Sequence, residues 1–214
     1  QMKLTESKIA FLTRIFLAAI YLIGVIGISI PSLSKLYVQI TPITLMISAL
    51  LLLAFHEPWN RKTILAFLLI AAIGFFIEVF GVSTGKIFGA YSYSEILGPK
   101  VFNVPLIIAL NWLILVYGAY YIASYFFQPP LLRLAIGGLL LVVFDLIMEP
   151  VAIELNMWAW ETGTPPLQNY IVWFFAGVAM MSLFPLFKIR LKNPLASALF
   201  VYLVLFFGIL NFIV

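Results

Sequence analysis

Predominantly apolar stretches close to bilayer length recur along this chain, and that recurrence limits its fold more than any other feature. A helix needs roughly 20 apolar residues to cross a hydrocarbon core. Runs that meet or approach this length lie at Lys8–Ile30, Ile40–Phe55, Arg61–Phe80, Val104–Phe127, Leu131–Glu154, Asn169–Phe187 and Pro194–Val214. Only 9% of the 214 residues are charged, whereas a soluble domain carries about a quarter. Backbone polar groups find no water inside a bilayer, so apolar runs of this length must be helical. The expected architecture is all-α: a polytopic membrane bundle of about seven transmembrane helices, forming one membrane-embedded domain over residues 1–214. The second run is the shortest. The first is long for a cleaved signal and lacks a small-residue cleavage site, so it is expected to stay as a span, with Met2 as the natural start.

Basic residues between the runs supply an orientation. Lys3, Lys8, Arg14, Arg61, Lys62, Arg133, Lys188, Arg190 and Lys192 fall on one side, and only Lys35, Lys86 and Lys100 on the other. The bias predicts a cytoplasmic amino terminus, an external carboxyl terminus, an odd number of spans and residence in the cell (plasma) membrane. Basic clusters placed between apolar runs speak for contact with a lipid bilayer and not with nucleic acid. Two longer connections, 81–103 and 156–168, then lie outside. Both mix Gly, Pro and hydroxyl residues with Tyr or Trp, as a re-entrant or interfacial cap would. An ordinary interfacial aromatic belt has the same composition.

Composition closes several chemistries. Cysteine is absent, which removes disulfides, thiolate nucleophiles and thiolate-bound metals. His56 is the single histidine, too few for non-haem iron. A retinal Schiff base needs an intramembrane lysine, and the last run has none. No metal site and no cofactor are expected. His56, beside Glu57 and Pro58, is expected in a cytoplasmic turn with no chemical task.

Glu78, Asp145 and Glu149 are the acids that fall inside predicted helices. A central acid costs about 2.5–3.5 kcal/mol on insertion, against about −0.3 to −0.6 for each Leu, Ile, Val or Phe. The fifth run carries two acids, so its cost and gain nearly cancel and it needs partners within a bundle. Asp145 and Glu149 are four residues apart, on one helical face. Pro150 cannot donate to the carbonyl of Leu146, which predicts a kink and a free acceptor. Gly137 and Gly138 would let a neighbouring helix approach closely. In the assigned topology Glu78 and Glu149 share an outer level, with Asp145 about one turn deeper. Asn103, Asn111 and Asn169 enter from that side. Intramembrane acids mark functional sites by default, although Glu78 could be solvated at the headgroups and Asp145 could merely join helices.

Around these acids the chain reads Glu78, Thr84-Gly85, Phe88-Gly89, Tyr91, Tyr93 and Val104-Pro105. A second block reads Asp145, Glu149-Pro150, Trp158, Trp160, Pro166, Asn169 and Trp173. In order and spacing the two blocks resemble the membrane carotenoid-biosynthesis family that includes γ-carotene and bisanhydrobacterioruberin hydratases. The chain departs from the family at Glu149, where Asp is usual, and at Val172, where Gly is usual. The remainder matches only in hydropathy. The resemblance implies a cofactor-independent carotenoid 1,2-hydratase, acting on a long apolar ψ-end carotenoid such as γ-carotene or lycopene, with water as second substrate.

Such hydration needs a proton on the less substituted alkene carbon, then a tertiary cation, then capture by water. An acid in an apolar site can stay protonated near neutral pH, and a second carboxylate can hold the water and accept its proton. Asp145, the deepest acid, is the expected donor, with Glu149 and Glu78 orienting water or acting as base; these roles can be exchanged. The faces of Tyr91, Tyr93, Trp112, Trp158 and Trp160 would stabilise the cation, by about 2 kcal/mol where desolvated. Thr84, Asn103, Asn111, Asn169 and Trp173 complete the expected substrate-binding set.

Other readings share these residues. A carotenoid cyclase would use the same protonation and capture the cation with an internal double bond. A prenyltransferase would need more carboxylates and nearby basic residues for Mg²⁺-diphosphate. A seven-helix transporter or pigment-binding protein would use the paired acids as a proton relay or as structural groups.

Overall fold

A computed structural model describes residues 2–213, with side chains from residue 7 onward. Gln1 and Val214, the ends of the expected single domain, and the side chain of Lys3, counted among the cytoplasmic charges, lie outside the described residues. The elements in order are α1 (Met2–Ser29), α2 (Pro31–Gln39), α3 (Thr41–Ala54), α4 (Arg61–Thr84), β1 (Tyr91–Tyr93), β2 (Lys100–Val101), β3 (Val104–Pro105), α5 (Ile107–Phe126), α6 (Pro130–Glu154), β4 (Trp158–Trp160), α7 (Leu167–Leu186) and α8 (Ala196–Leu210).

The protein is a membrane helix bundle, as its apolar runs require. Five helices are long and apolar enough to cross: α1, α4, α5, α6 and α7. The second expected span is a broken one. Its apolar part, α3, has only 14 residues, and it qualifies only together with α2, from which it is bent by 48°. Pro42 causes the break, because a residue without N–H cannot continue the ladder of α2. The seventh expected span is also shorter than its apolar run. Helix α8 has 15 residues, about 22 Å of axis against a core of about 30 Å. Seven is therefore an approximate count, with five to six full-length spans.

Helix α5 is the centre of the bundle: 61% of its apolar window is buried, against 22–39% for the other four full-length helices. It packs against α3, α4, α6, α7 and α8. Helices α6 and α7 approach closely at Gly137 and Gly138, where an added Cβ would stand 2.5 Å from Met181 Sδ and 2.8 Å from the Phe174 ring. The expected small-residue contact is therefore made by α7. Pro150 lies within α6, which continues to Glu154. Near it, the carbonyl of Ile147 accepts a 2.5 Å hydrogen bond from Asn211 Nδ2 at the end of α8, one residue beyond the Leu146 carbonyl that Pro150 leaves without its helical donor.

The two long connections are not independent caps. Strand β1 from the first pairs antiparallel with β4 from the second, in the register Tyr91↔Trp160, Ser92↔Ala159, Tyr93↔Trp158. A second hairpin joins β2 to β3, and Phe102 and Asn103 turn it with φ of 52° and 64°. A two-residue turn with both φ values positive suits hairpin twist, and asparagine tolerates it well.

The other end of the bundle is closed differently. Glu57 and Lys192 exchange backbone hydrogen bonds of 2.9 and 3.1 Å, and Arg14 Nε donates to the carbonyl of Pro194 at 2.7 Å. His56 does follow α3 in a turn, but it is 1% exposed. Its Nδ1 lies 2.7 Å from Tyr117 Oη, with Trp59 and Phe67 edge-on to its ring. This burial was not expected from its charged and proline neighbours.

Candidate active site

Alternation along a strand decides the site. Residues two apart share a face, so the register places Tyr91, Tyr93, Trp158 and Trp160 on one face of the β1–β4 ribbon and Ser92 and Ala159, both exposed, on the other. The aromatic face looks into the bundle. Tyr93 Oη donates to Glu78 Oε2 at 2.8 Å, and Tyr91 Oη donates to the same oxygen. Trp158 Nε1 and Trp160 Nε1 donate to Glu149 Oε2 at 3.0 and 2.9 Å. The tyrosines thus hold the acid of α4 and the tryptophans hold the acid of α6. Burial and the neighbouring Glu78 carboxylate push both phenols well above their ordinary pKa, so they stay protonated and serve as donors.

The bundle adds two further supports. Trp112 on α5 donates from Nε1 to Glu78 Oε1 at 3.0 Å. Its ring stacks on Trp173 of α7, with centroids 4.3 Å apart. It can lie there because Gly74 faces it; a Cβ at that position would stand 2.5 Å from Trp112 Cβ. At the start of α7, Asn169 Nδ2 donates to Asp145 Oδ2 at 2.5 Å.

Hydrogen-bond accounting separates the three acids. Both oxygens of Glu78 accept, from three donors in all, a pattern that suits an ionised carboxylate. Glu149 takes both its bonds on Oε2, leaving Oε1 without a partner among the described residues. Asp145 is fully buried, and its Oδ1 also lacks a partner.

Between these groups lies a chamber of about 30 Å³, room for one or two water molecules. Glu78, Glu149, Tyr91, Tyr93, Asn111, Trp112, Trp158, Trp160, Asn169 and Trp173 line it, together with Phe88, Ile108 and Met148. Ten of the thirteen expected site residues therefore meet around one void. Asp145 does not line it and stands behind Asn169. Thr84 is exposed at the end of α4, where its hydroxyl donates to the carbonyl of Phe80 at 2.6 Å, and Asn103 is the exposed turn residue of the second hairpin. Both serve local backbone geometry. Ile108 and Met148 carried no signal in the sequence, since nothing distinguishes them from other apolar helix residues. Asn111 makes no side-chain hydrogen bond among the described residues, so its amide is free at the chamber wall.

A bundle of apolar helices enclosing three carboxyl groups, with a ribbon of aromatic donors gripping two of them, defines a multi-pass membrane protein with a buried acid site. Comparison with known proteins gives the family. The description "Carotenoid biosynthesis protein" matches residues 35–214, and the chain belongs to that family. It is similar to a bisanhydrobacterioruberin hydratase from Haloarcula japonica, 27% identical over 133 residues. That stretch covers 58% of this chain and 45% of the relative, less than half of the latter's length. No solved structure matches.

Proposed function

We propose that this protein is a carotenoid hydratase, adding water across the terminal 1,2 double bond of a ψ-end carotenoid such as γ-carotene or lycopene. One observation carries the reading: a water-sized chamber walled by two carboxyl groups and aromatic faces, inside an apolar bundle. Hydration of an unactivated alkene needs an acid, a base, one water and a shield for a cation. The chamber has two carboxyl groups, aromatic faces and room for a water molecule, and family membership makes a carotenoid the fitting substrate.

Glu149 is the proton donor in this reading, because its Oε1 is the unpartnered carboxyl oxygen at the chamber wall. The terminal alkene takes that proton on its less substituted carbon, leaving a tertiary cation and the Glu149 carboxylate. Water held by Glu78 and the free amide of Asn111 attacks the cation through oxygen. Its surplus proton passes to Glu78 and returns to Glu149 through chamber water, which restores both acids. The Glu78 charge and the faces of Trp158, Trp160 and Tyr91 stabilise the cation. Asp145 is a positioning residue, orienting the Asn169 amide.

Expression in a lycopene- or γ-carotene-producing host tests the reaction. A pigment heavier by one water is the expected product. An isomer of unchanged mass would make the protein a cyclase, and unaltered pigment would reject both. The basic loops further support a site in the outer half of the cell membrane. A cysteine at Ser92, on the exposed ribbon face of a chain without cysteines, should react with an impermeant maleimide added to intact cells; labelling only after lysis would reverse the orientation.

A further inference from the structure

Ile108, Asn111, Met148 and Trp158 line the acid chamber and also a second cavity, of about 260 Å³. The second cavity is walled mainly by α1, α3 and α8, whereas the acids and their donors sit on α4–α7 and the ribbon. We propose that this cavity is a lateral tunnel that admits one end of a linear polyisoprenoid chain from the lipid core to the acids. The proposal rests on the hydratase reading for what happens at the inner end, but not for what binds.

The lining selects a hydrocarbon. Only four of its lining residues carry hydroxyls, and two of these are engaged: Tyr21 Oη pairs with Ser48 Oγ at 3.0 Å, and Thr41 Oγ1 donates to the Tyr37 carbonyl at 3.3 Å; those of Tyr37 and Thr44 are single neutral groups on a mostly apolar wall. No charged side chain lines it, so an ionic or sugar-like ligand would lose its hydration without compensation. A hydrocarbon gains by burial along the whole wall.

The mouth faces lipid. Ile23 on α1 and Ile43 on α3 line the cavity and are 50% and 52% exposed on the apolar flank of the bundle. A polyene dissolved only in the bilayer reaches such a mouth without crossing water. The tunnel is also short. From Ile20 to Ile28 its α1 wall measures about 12 Å at 1.5 Å per residue, so it encloses an end group and leaves the rest of a C40 chain in lipid. At its inner end stands Trp158, whose indole N–H holds Glu149. The end group therefore arrives beside the acid, with the free amide of Asn111 at the junction.

The test uses the full chain in phospholipid nanodiscs with lycopene as probe. Binding is read by quenching of tryptophan fluorescence, and conversion by pigment mass. Ile43→Trp at the mouth and Thr44→Trp within the wall should each raise the apparent Kd and KM by at least tenfold. Leu50→Trp, lipid-facing on the same helix and outside the cavity, should change neither; it also controls for the added indole. Ile43 faces lipid, so its variant carries the test even where Thr44→Trp fails to fold. Unchanged binding and KM in the mouth variant would overturn the tunnel and leave hydration standing. Binding blocked by the mouth variant, in a protein that adds no water, would uphold the tunnel and sink hydration. A wild-type protein that binds no lycopene would end both.

Discussion

Polar groups are buried at both ends of this bundle, and the two ends differ in what surrounds them. At one end His56 and Tyr117 bond to each other amid Trp59 and Phe67, while Asn193 bonds the carbonyl of Leu52 and the N–H of Leu195 at 2.7 and 2.9 Å. Burial lowers the His56 pKa, so this cluster is neutral. At the ribbon end Glu78 of α4 and Glu149 of α6 face one void, with Asp145 of α6 behind Asn169. Neutral, tightly packed polar groups join elements here even though His56 Nε2 has no partner among the described residues; carboxyl groups lining an empty chamber are the arrangement from which a site is proposed. The contrast teaches that polar burial alone does not mark a site. A void walled by carboxyl groups is what sets the ribbon end apart.

The comparison can be broken from either side. Glu149→Gln removes the free acid and should reduce hydration by about 10²–10⁴-fold with the fold intact; pigment conversion at wild-type rate would transfer the donor role elsewhere. Asp145→Asn distinguishes the deepest acid from the accessible one: a loss clearly smaller than that of Glu149→Gln is expected, and an equal or larger loss would restore Asp145 as donor. Trp160→Phe deletes one of two donors to Glu149, a bond that becomes charge-assisted, and worth about 1.5–3 kcal/mol, only once Glu149 has given up its proton. It should slow turnover more than it weakens lycopene binding, as read from kcat against KM.

At the opposite end the effects should fall on stability alone. Tyr117→Phe should lower thermal stability by about 1 kcal/mol and leave pigment yield unchanged; lost activity in a folded variant would erase the distinction between the ends. His56 adds a pH signature. Its folded pKa lies below the ordinary 6.5, so the unfolded chain binds the proton more readily. Its contribution is present above that value and declines as pH falls below it. His56→Phe should flatten the melting-temperature profile on the acid side of the ordinary histidine pKa of about 6.5.

Much of the site was legible because its chemistry is rare in a membrane. Glu78 and Glu149 stood out by insertion cost, and Tyr91, Tyr93, Trp158 and Trp160 through the two blocks that resemble the carotenoid-biosynthesis family. Thr84 and Asn103 were legible as polar residues in the same connection, but not as a helix end and a hairpin turn. The sequence points to Asp145 as donor, whereas the proposal gives that role to Glu149 for a physical reason: depth along a helix says how far a residue lies from the surface, not whether a neighbour such as Asn169 stands between it and a cavity. The second run was the shortest in the sequence, and α3 fills it almost end to end without reaching full span length; the seventh looked complete because hydropathy does not see that the helix starts only at Ala196 and ends in a terminal turn.

The sequence by itself determined the solvent, the secondary structure and the identity of the scarce acids, because each follows from local cost: an apolar run must be helical in lipid, and a buried carboxyl needs donors. Only the tertiary structure decided which donors reach which acid. Residues 91–93 and 158–160 are far apart in the chain, and their pairing depends on helix ends brought together by packing around α5. That pairing sets Tyr against Glu78 and Trp against Glu149, leaves one carboxyl oxygen free, and opens the chamber onto the apolar cavity beside it.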